Sequence, residues 1–431
     1  MRIPVLMAIL LSLLSIAADI YILGEIRGGF RNVSRRNDSG SSEYYARKKS
    51  KRKWSIIYGV SAVLCWMLLA LILLLPKRAE GESILPTMWM LYSYITIYVG
   101  KFIYVIFSLL GRLFSSPVHN NKILKHRVRV CGNVFGVLLG VTAFGAFWYG
   151  AIVTRNDIEV VDVSIDYASL PKAFDGYRIV QISDMHLGTW GENTNFVSRL
   201  VREVSNLHPD IILFTGDIVN RKTDEMKPFL ETLAKLKAPD GVYSILGNHD
   251  YGDYIDWDST EARRANNELM AEWQSKIGWK LLNNEHTFIK KGNQEIVLIG
   301  VENWGEPPFK QYGKLTKAYP ASKKSKYNLH DNRFKILMSH NPKHWHEEVR
   351  KKSNIDLTLS GHTHAMQTML KIGGFRWSPS ALKYEEWAGL YEDEVGGRPV
   401  KLYVNVGCGE VGMPFRIGAT PEITLITLRK K

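Results

Sequence analysis

The sequence predicts a membrane-spanning helix bundle followed by an α/β domain, and three observations predict it. Four long apolar runs occupy the first third of the chain, at 3–26, 54–75, 84–110 and 131–153. Beyond them, apolar runs of strand length alternate with helical patterns, the order that argues α/β. The charge divides at the same place. Residues 1–153 carry 19 Lys+Arg against 6 Asp+Glu, and residues 154–431 carry 37 against 36. The chain therefore reads as a transmembrane domain over 1–153 and a second domain over 154–431.

A membrane span needs about 20 apolar residues, and all four runs reach that length. The first is interrupted by Asp19 and Glu25, the third by Lys101, and the second and fourth by no charge. The first run has a rival reading as a signal peptide, with Arg2 before an apolar core and Ser15-Ile16-Ala17 as a cleavage site. The loop that follows argues against export. It carries ten Lys+Arg from Arg27 to Lys53, including Arg31, Arg35, Arg36 and the run Arg47–Lys53, and such a loop stays cytoplasmic. The loop after the third run carries five (Arg112, Lys122, Lys125, Arg127, Arg129), whereas Lys77 and Arg78 in the second are balanced by Glu80 and Glu82. Both basic loops then lie inside, which predicts an integral protein of a plasma or inner membrane with everything after Val153 extracytoplasmic. Lys101 reads as a snorkelling residue or one facing a helix partner, in preference to a polar pathway. The basic excess belongs to the membrane third and the second domain is nearly neutral, so a nucleic-acid partner is not expected. The cysteines, Cys65, Cys131 and Cys408, form no zinc-type spacing and allow no disulfide within the second domain.

In the second domain, Val160–Ile165 alternates as an edge or first strand, and Tyr177–Ser183 is the first central strand. Thr194–Leu207 has helical spacing, Ile211 opens the next strand, Glu225–Leu236 reads as an amphipathic helix, and Tyr243–Leu246 as the third strand. Gly252–Gly278 reads equally as a lid and as an ordinary surface helix. Glu295–Val301, Phe334–Met338, Lys401–Val406 and Ile423–Leu428 are further strands. The segment Glu302–Arg333, with Trp304, Pro307, Pro308, Phe309 and the lysines Lys310, Lys314, Lys317, Lys323, Lys324 and Lys326, reads as a solvated loop in preference to a surface that meets anionic lipid or a phosphate-bearing substrate. Met366–Tyr391 is irregular and aromatic.

Five apolar runs end in metal-binding residue types. Y-R-I-V-Q-I-S-D-M-H presents Asp184 and His186, I-L-F-T-G-D presents Asp217, and Y-S-I-L-G-N-H-D presents Asn248, His249 and Asp250. F-K-I-L-M-S-H presents His340, and I-D-L-T-L-S-G-H-T-H presents His362 and His364. A glycine after a buried strand lets the chain turn sharply, and strand ends on a rigid sheet hold a site tightly. His344 and His346 compete with His340, which is preferred because it directly follows the apolar run. His362 and His364, two apart, point the same way if that segment is extended.

The ordered set D-x-H, G-D, G-N-H-D, H, G-H-x-H resembles the calcineurin-like metallophosphoesterase superfamily over about Tyr177–Leu428, and in particular its membrane-anchored bacterial lipid-sugar pyrophosphatase-like and phospholipid phosphodiesterase-like members. The resemblance implies a two-sheet β-sandwich flanked by helices and a phosphate-containing substrate. It implies two divalent transition metal ions, of Mn, Fe, Zn or Co type given nitrogen and oxygen ligands without thiolate. Asp184, His186 and His364 would hold one ion, Asn248, His340 and His362 the other, and Asp217 would bridge them. His249 would face the substrate and protonate the leaving oxygen, with Asp250 orienting it from behind. After the last motif many relatives continue with two glycines and Gln, whereas Ala365-Met366-Gln367 follows here, which leaves the ligands intact and alters the substrate side.

Three functions compete. The first is a membrane-anchored phosphohydrolase acting on a phosphate ester or pyrophosphate, with a lipid-linked substrate favoured by the short stretch from Val153 to Tyr177. The second is a catalytically weak membrane sensor binding a phosphorylated ligand, which has no need of a complete ligand set. The third is a channel or transporter, which the scarcity of charge in the spans argues against.

Overall fold

The computed structural model describes residues 2–28, 42–75, 83–118, 121–307, 310–320 and 327–431. Arg31, Arg35, Arg36, Lys77, Arg78, Glu80, Glu82, Pro308, Phe309, Lys323, Lys324 and Lys326 lie outside them. The chain divides into two compact units. One comprises Met1–Leu75 and Pro86–Tyr149, and the other Pro76–Leu85 and Gly150–Lys431.

The first unit holds helices α1 (Arg2–Gly28), α2 (Ser42–Leu74), α3 (Leu85–Ser115) and α4 (Lys122–Ile152), except for Leu85 and the end of α4 from Gly150 onward, which belong to the second. All four carry windows long and apolar enough to cross a membrane. The basic run Arg47–Lys53 lies on the first turns of α2 and not in a loop, as the sequence had suggested. Lys and Arg are good helix formers, so nothing stops the helix before them.

Lipid gives helices no hydrophobic reason to associate, so polar contacts and close backbone approach must hold them together. Both occur here. Asp19 on α1 lies 2.8 Å from Lys101 Nζ on α3. It also accepts from the Tyr98 hydroxyl at 2.7 Å, the Tyr58 hydroxyl at 2.6 Å and Trp66 Nε1 at 3.1 Å. Along the same two helices, Tyr94 donates to Ser15 and Arg112 pairs with Glu25. The charges that weaken the first span as a sequence are therefore paired, and Lys101 faces a helix partner. Between α3 and α4 the backbones nearly touch. A Cβ on Gly140 would lie 2.7 Å from Gly100 O, and one on Gly132 equally close to Phe107 O.

The second unit contains β1 (Glu159–Tyr167), β2 (Arg178–Ile182), α5 (Asn195–Asn206), β3 (Ile211–Phe214), α6 (Leu230–Leu233) and β4 (Val242–Ser244). Then come α7 (Thr260–Lys276), β5 (Trp279–Leu281), β6 (Glu285–Lys291), β7 (Gln294–Gly300), β8 (Lys335–Met338) and β9 (Leu357–Ser360). The last strands are β10 (Leu370–Ile372), β11 (Phe375–Trp377), β12 (Gly389–Val395), β13 (Arg398–Val404) and β14 (Glu422–Lys430). One six-stranded sheet runs β1-β14-β2-β3-β4-β5 and the other β12-β13-β9-β8-β7-β6. Within them β2–β5 are mutually parallel, as are β7, β8, β9 and β13, while β14 against β2, β6 against β7 and β12 against β13 are antiparallel.

The central strands are buried on both faces, which is why they read as unbroken apolar runs. Ile211 and Leu213 of β3 pack between the sheets with Ile336, Met338, Leu357 and Leu359, whereas Ile212 and Phe214 pack outward with Leu200 and Val204 of α5. The outer face of the second sheet packs on Leu315, Tyr319 and Trp345. This is the sandwich flanked by helices. The helix expected over Glu225–Leu236 is instead a 3₁₀ helix, Thr223–Phe229, running into the single turn of α6. Pro228 inside it cannot donate a backbone hydrogen bond. Strands β5, β6 and β12 lie at sheet edges with many exposed side chains, so their apolar signal is weak.

The paired Asp19 generates a prediction. Asp19→Ala leaves the partly buried Lys101 without its carboxylate, and breaking a buried pair costs up to roughly 3–5 kcal/mol. Asp19→Leu with Lys101→Met removes both charges and should recover most of that. Unfolding titrations in mixed micelles measure it. Equal stability of Asp19→Ala and the parent would show that the pair holds nothing together.

Candidate metal centre

Each residue of the centre follows the C-terminal end of a central strand. The parallel order of β2, β3 and β4, and of β8 and β9, brings those ends to one side of both sheets. The loops are then joined through their backbones. Asp184 N donates to Gly216 O at 2.9 Å, His186 N to Asp217 O at 3.2 Å, and Gly361 N to His340 O at 3.0 Å. Asp184, His186, Asp217, His362 and His364 all have positive φ, between 45° and 72°. That conformation costs non-glycine residues of order 1–3 kcal/mol each and gathers at functional sites. It also corrects the extended reading of Gly361–His364. Thr363 is helical between two left-handed histidines, so the imidazoles diverge.

They diverge into two groups. Asp184, His186 and His364 form one, and Asp217, His340 and His362 the other, with ligand-type atoms within 4.8 Å of one another in each. In the first, His364 Nε2 lies 3.1 Å from Asp184 Oδ1 and from His186 Nε2. In the second, His340 Nε2 lies 3.1 Å from Asp217 Oδ2 and 3.2 Å from His362 Nδ1. Asp217 Oδ2 is also 3.7 Å from His186 Nε2, so this one oxygen faces both groups. Close approach here requires glycine. A Cβ on Gly247 would sit 2.2 Å from Asp217 Oδ1, and one on Gly361 equally close to Asp184 Oδ2.

These residues fit divalent cations. Asn248 Oδ1 and His186 Nδ1 are buried without a hydrogen-bond partner, an arrangement that is costly unless something else meets them. Asn248 Nδ2 donates to the Tyr254 hydroxyl at 2.9 Å, which leaves Oδ1 as the free donor atom. His340 Nδ1 is paired with Thr215 O at 2.8 Å, leaving Nε2 for an ion. His362 Nε2 is paired with the Tyr384 hydroxyl at 3.0 Å, leaving Nδ1. The buried Arg416 guanidinium contacts His364 Nδ1 at 3.2 Å. Such partners orient ligands. Tyr254, Tyr384 and Arg416 lie at no regular spacing from the motifs, and no sequence signal distinguishes them.

His249 and Asp250 divide their work differently from the expectation. His249 Nδ1 pairs with Asn220 O at 2.6 Å, and its ring stacks on Tyr254 with centroids 4.4 Å apart. Asp250 instead accepts from the backbone amides of Gly247, Asp217 and Ile218, each at 2.9 Å, and of Val219 at 3.2 Å. It supports the Asp217 loop, and the orientation of His249 comes from Asn220. His344 pairs with Ser339 and stacks on Trp304 away from both groups. His346 gathers with Glu385 and Glu386 and shares its ring with Arg350.

The electrostatics follow from burial and crowding. Burial would raise the Asp184 carboxyl, but His364 and then His340 overcome it and hold Asp184 below the carboxylate range. Burial opposes a charge on His340, yet Asp217 beside it pushes the imidazole up to about 10. His362, buried and next to His340, is pushed down to about 3. Burial and then the Asp217 charge raise Asp250 to about 7. Burial lowers His249, with Asp217 opposing.

Two family models match the chain. "Calcineurin-like phosphoesterase" covers residues 177–366, and "Probable Calcineurin-like phosphoesterase, transmembrane domain" covers residues 1–155. A zebrafish (Danio rerio) protein described as a transmembrane protein with metallophosphoesterase domain is 29% identical over 65% of this chain. This chain spans 60% of that relative's length. The uncharacterized metallophosphoesterase YkuE of Bacillus subtilis is 29% identical over 69% of this chain and 95% of its own. An uncharacterized metallophosphoesterase of Helicobacter pylori (strain J99) is 27% identical over 77% of this chain and 80% of its own.

Asp250→Asn turns an acceptor of four amides into a group with one amide nitrogen facing them. The fold should persist, and affinity for Mn or Zn should fall about 10- to 100-fold, the usual cost of losing ligand support. Metal titration followed by calorimetry reads this directly. Unchanged affinity would mean that the Asp217 loop holds its shape without the carboxylate.

Proposed function

The chain carries a calcineurin-like phosphoesterase domain joined to a phosphoesterase transmembrane domain, and from this premise we propose that it is an integral-membrane, dinuclear-metal phosphohydrolase. The observation that carries the reading is the pair of three-residue groups meeting at Asp217, with His249 beside them. Asp184, His186 and His364 would hold one ion, Asn248, His340 and His362 the other, and Asp217 both. The donor set suits Mn, Fe, Zn or Co. Two such ions supply charge neutralisation and a water acidic enough to attack phosphorus near neutral pH.

The chain's own residues do the rest. His249 Nδ1 is committed to Asn220 O, so Nε2 is the position from which a proton reaches the leaving oxygen. An arriving phosphate favours the charged imidazole, against the burial that disfavours it. The His249 backbone N–H donates to Asp217 Oδ1 at 2.8 Å, so the acid and the bridging carboxylate keep a constant separation. A complete ligand set with a placed proton donor supports hydrolysis over a sensor role. The favoured substrate is a phosphate ester or pyrophosphate linked to lipid, because the domain is carried on membrane spans and only the short stretch from Val153 to Tyr177 separates the last of them from its first central strand.

Asp217→Ala should abolish hydrolysis and lower bound metal in the full-length protein, assayed on phosphomonoesters, phosphodiesters and lipid pyrophosphates with Mn or Zn. His249→Ala should keep metal and lose about 10²–10⁴-fold in rate. That loss should shrink for p-nitrophenolate esters, whose leaving group needs no proton. A loss equal across leaving groups would remove the proton-donor role. Full activity without metal would refute the whole reading.

The charge bias supports a second domain outside the cytoplasm. An alkaline phosphatase fused after Lys431 should be active there and green fluorescent protein dark. The opposite pair of results would put the domain in the cytoplasm.

A further inference from the structure

Directly after the last metal loop lies a feature that the proposed chemistry does not use. Strands β10 and β11 form a hairpin belonging to neither six-stranded sheet. Its register pairs Leu370 with Trp377, Lys371 with Arg376 and Ile372 with Phe375. Cross-strand partners share a face and neighbours along a strand alternate. One face is therefore Leu370, Ile372, Phe375 and Trp377, and the other is Lys371 and Arg376. All six residues are exposed, Ile372 at 64% and Phe375 at 59%. Leu382, just behind the hairpin, is 83% exposed. The tip is Gly373-Gly374, where nothing lies within 4 Å of an added Cβ. A two-stranded hairpin has no core of its own, and an apolar face left in water marks an interaction site.

The root of the hairpin indicates what covers that face. Met369 N donates to Ile417 O at 2.8 Å, and Ile417 N to Gln367 O at 2.9 Å. Next to Ile417, Arg416 N donates to Gly150 O at 3.3 Å. An added Cβ on Gly150 would lie 2.9 Å from Ile417 Cγ1. Gly150 is in the last turn of α4, within the fourth apolar span, and these residues all belong to the second unit. A second tie is Lys371, whose Nζ lies 3.2 Å from the Glu159 carboxylate, just past Asn156 where that span ends. The hairpin is thus rooted where the chain leaves the span.

We propose that the β10–β11 hairpin lies in the bilayer interface, with its Leu–Ile–Phe–Trp face among the outermost acyl-chain carbons. Trp and Phe favour that depth, and an apolar face backed by Lys and Arg is the pattern of interfacial segments. The hairpin follows His364 closely in the chain, so its docking holds the metal loop at headgroup level. That last consequence rests on the function proposed above. The docking itself does not.

The test uses the full chain in nanodiscs, with Cys65, Cys131 and Cys408 replaced by Ala. Phe375→Cys, and separately Ile372→Cys as a second position, is labelled with an environment-sensitive NBD dye. Glu394→Cys, on the polar hairpin between β12 and β13, is the control. Phosphatidylcholine discs are compared with discs containing phosphatidylglycerol, each with and without lipids carrying a nitroxide high on the acyl chain. The expected result is blue-shifted emission at both hairpin positions, quenched by the nitroxide, with the control unshifted and unquenched. Emission like that of the control at both positions would overturn the proposal. A blue shift without nitroxide quenching that grows with protein density would also overturn it, because a second copy would then cover the face. Neither readout requires turnover, so a failure here is distinguishable from a failure of the hydrolase reading.

Discussion

A carboxylate can be buried only where donors meet it, and Asp250 meets four backbone amides. Those amides belong to the turn after β3 and the turn after β4. One side chain therefore locks two strand ends into a single piece, and the separation of Asp217 from Asn248 follows from it. Gly247 completes the lock, since its Cα sits where any side chain would strike Asp217. The His249 amide then finds Asp217 Oδ1, and its ring finds the Asn220 carbonyl in the same turn. His249 and Asp217 are placed by one set of hydrogen bonds.

The centre is locally unfavourable everywhere else. Five of its residues hold left-handed backbone, two groups of donors face one another, and Asn248 Oδ1 lacks a partner. Such strain survives only where the surroundings over-determine it. Here they do, because the strands that carry these loops are buried on both faces and the loops bond to one another across the gap between the two sheets. Burial opposes a charge on His340, yet Asp217 beside it pushes that imidazole up, while burial and then His340 push His362 down. Cations held by these donors would compete with protons for them, which couples metal affinity to pH in the usual direction, tighter as pH rises.

The helical unit solves a different problem with different means. Its helices gain nothing from burying apolar surface against each other in lipid. The ladder from Ser15–Tyr94 through Asp19–Lys101 to Glu25–Arg112 gives α1 and α3 a single register, and the glycines of α3 and α4 let those backbones touch. A charge that lowers the hydropathy of a span is here the reason the span has a defined neighbour.

Much of this was legible in the sequence. The apolar runs of 3–26, 54–75, 84–110 and 131–153 are visible because a span or a strand buried on both faces must be apolar at nearly every position. The strand-end residues are visible because each follows such a run, most of them across a glycine. Edge strands β5, β6 and β12 were not, since half-exposed strands keep polar residues and lose the signal. Nor were Tyr254, Tyr384, Arg416 and the pairing of Asp19 with Lys101, and the role of Asp250 was misplaced. These are contacts between residues far apart in the chain, or between a side chain and backbone amides whose direction only the turn decides. Composition and period report which residues must leave water. Which atoms then meet is decided by how the sheets and helices close on one another, and a linear pattern carries no record of that geometry.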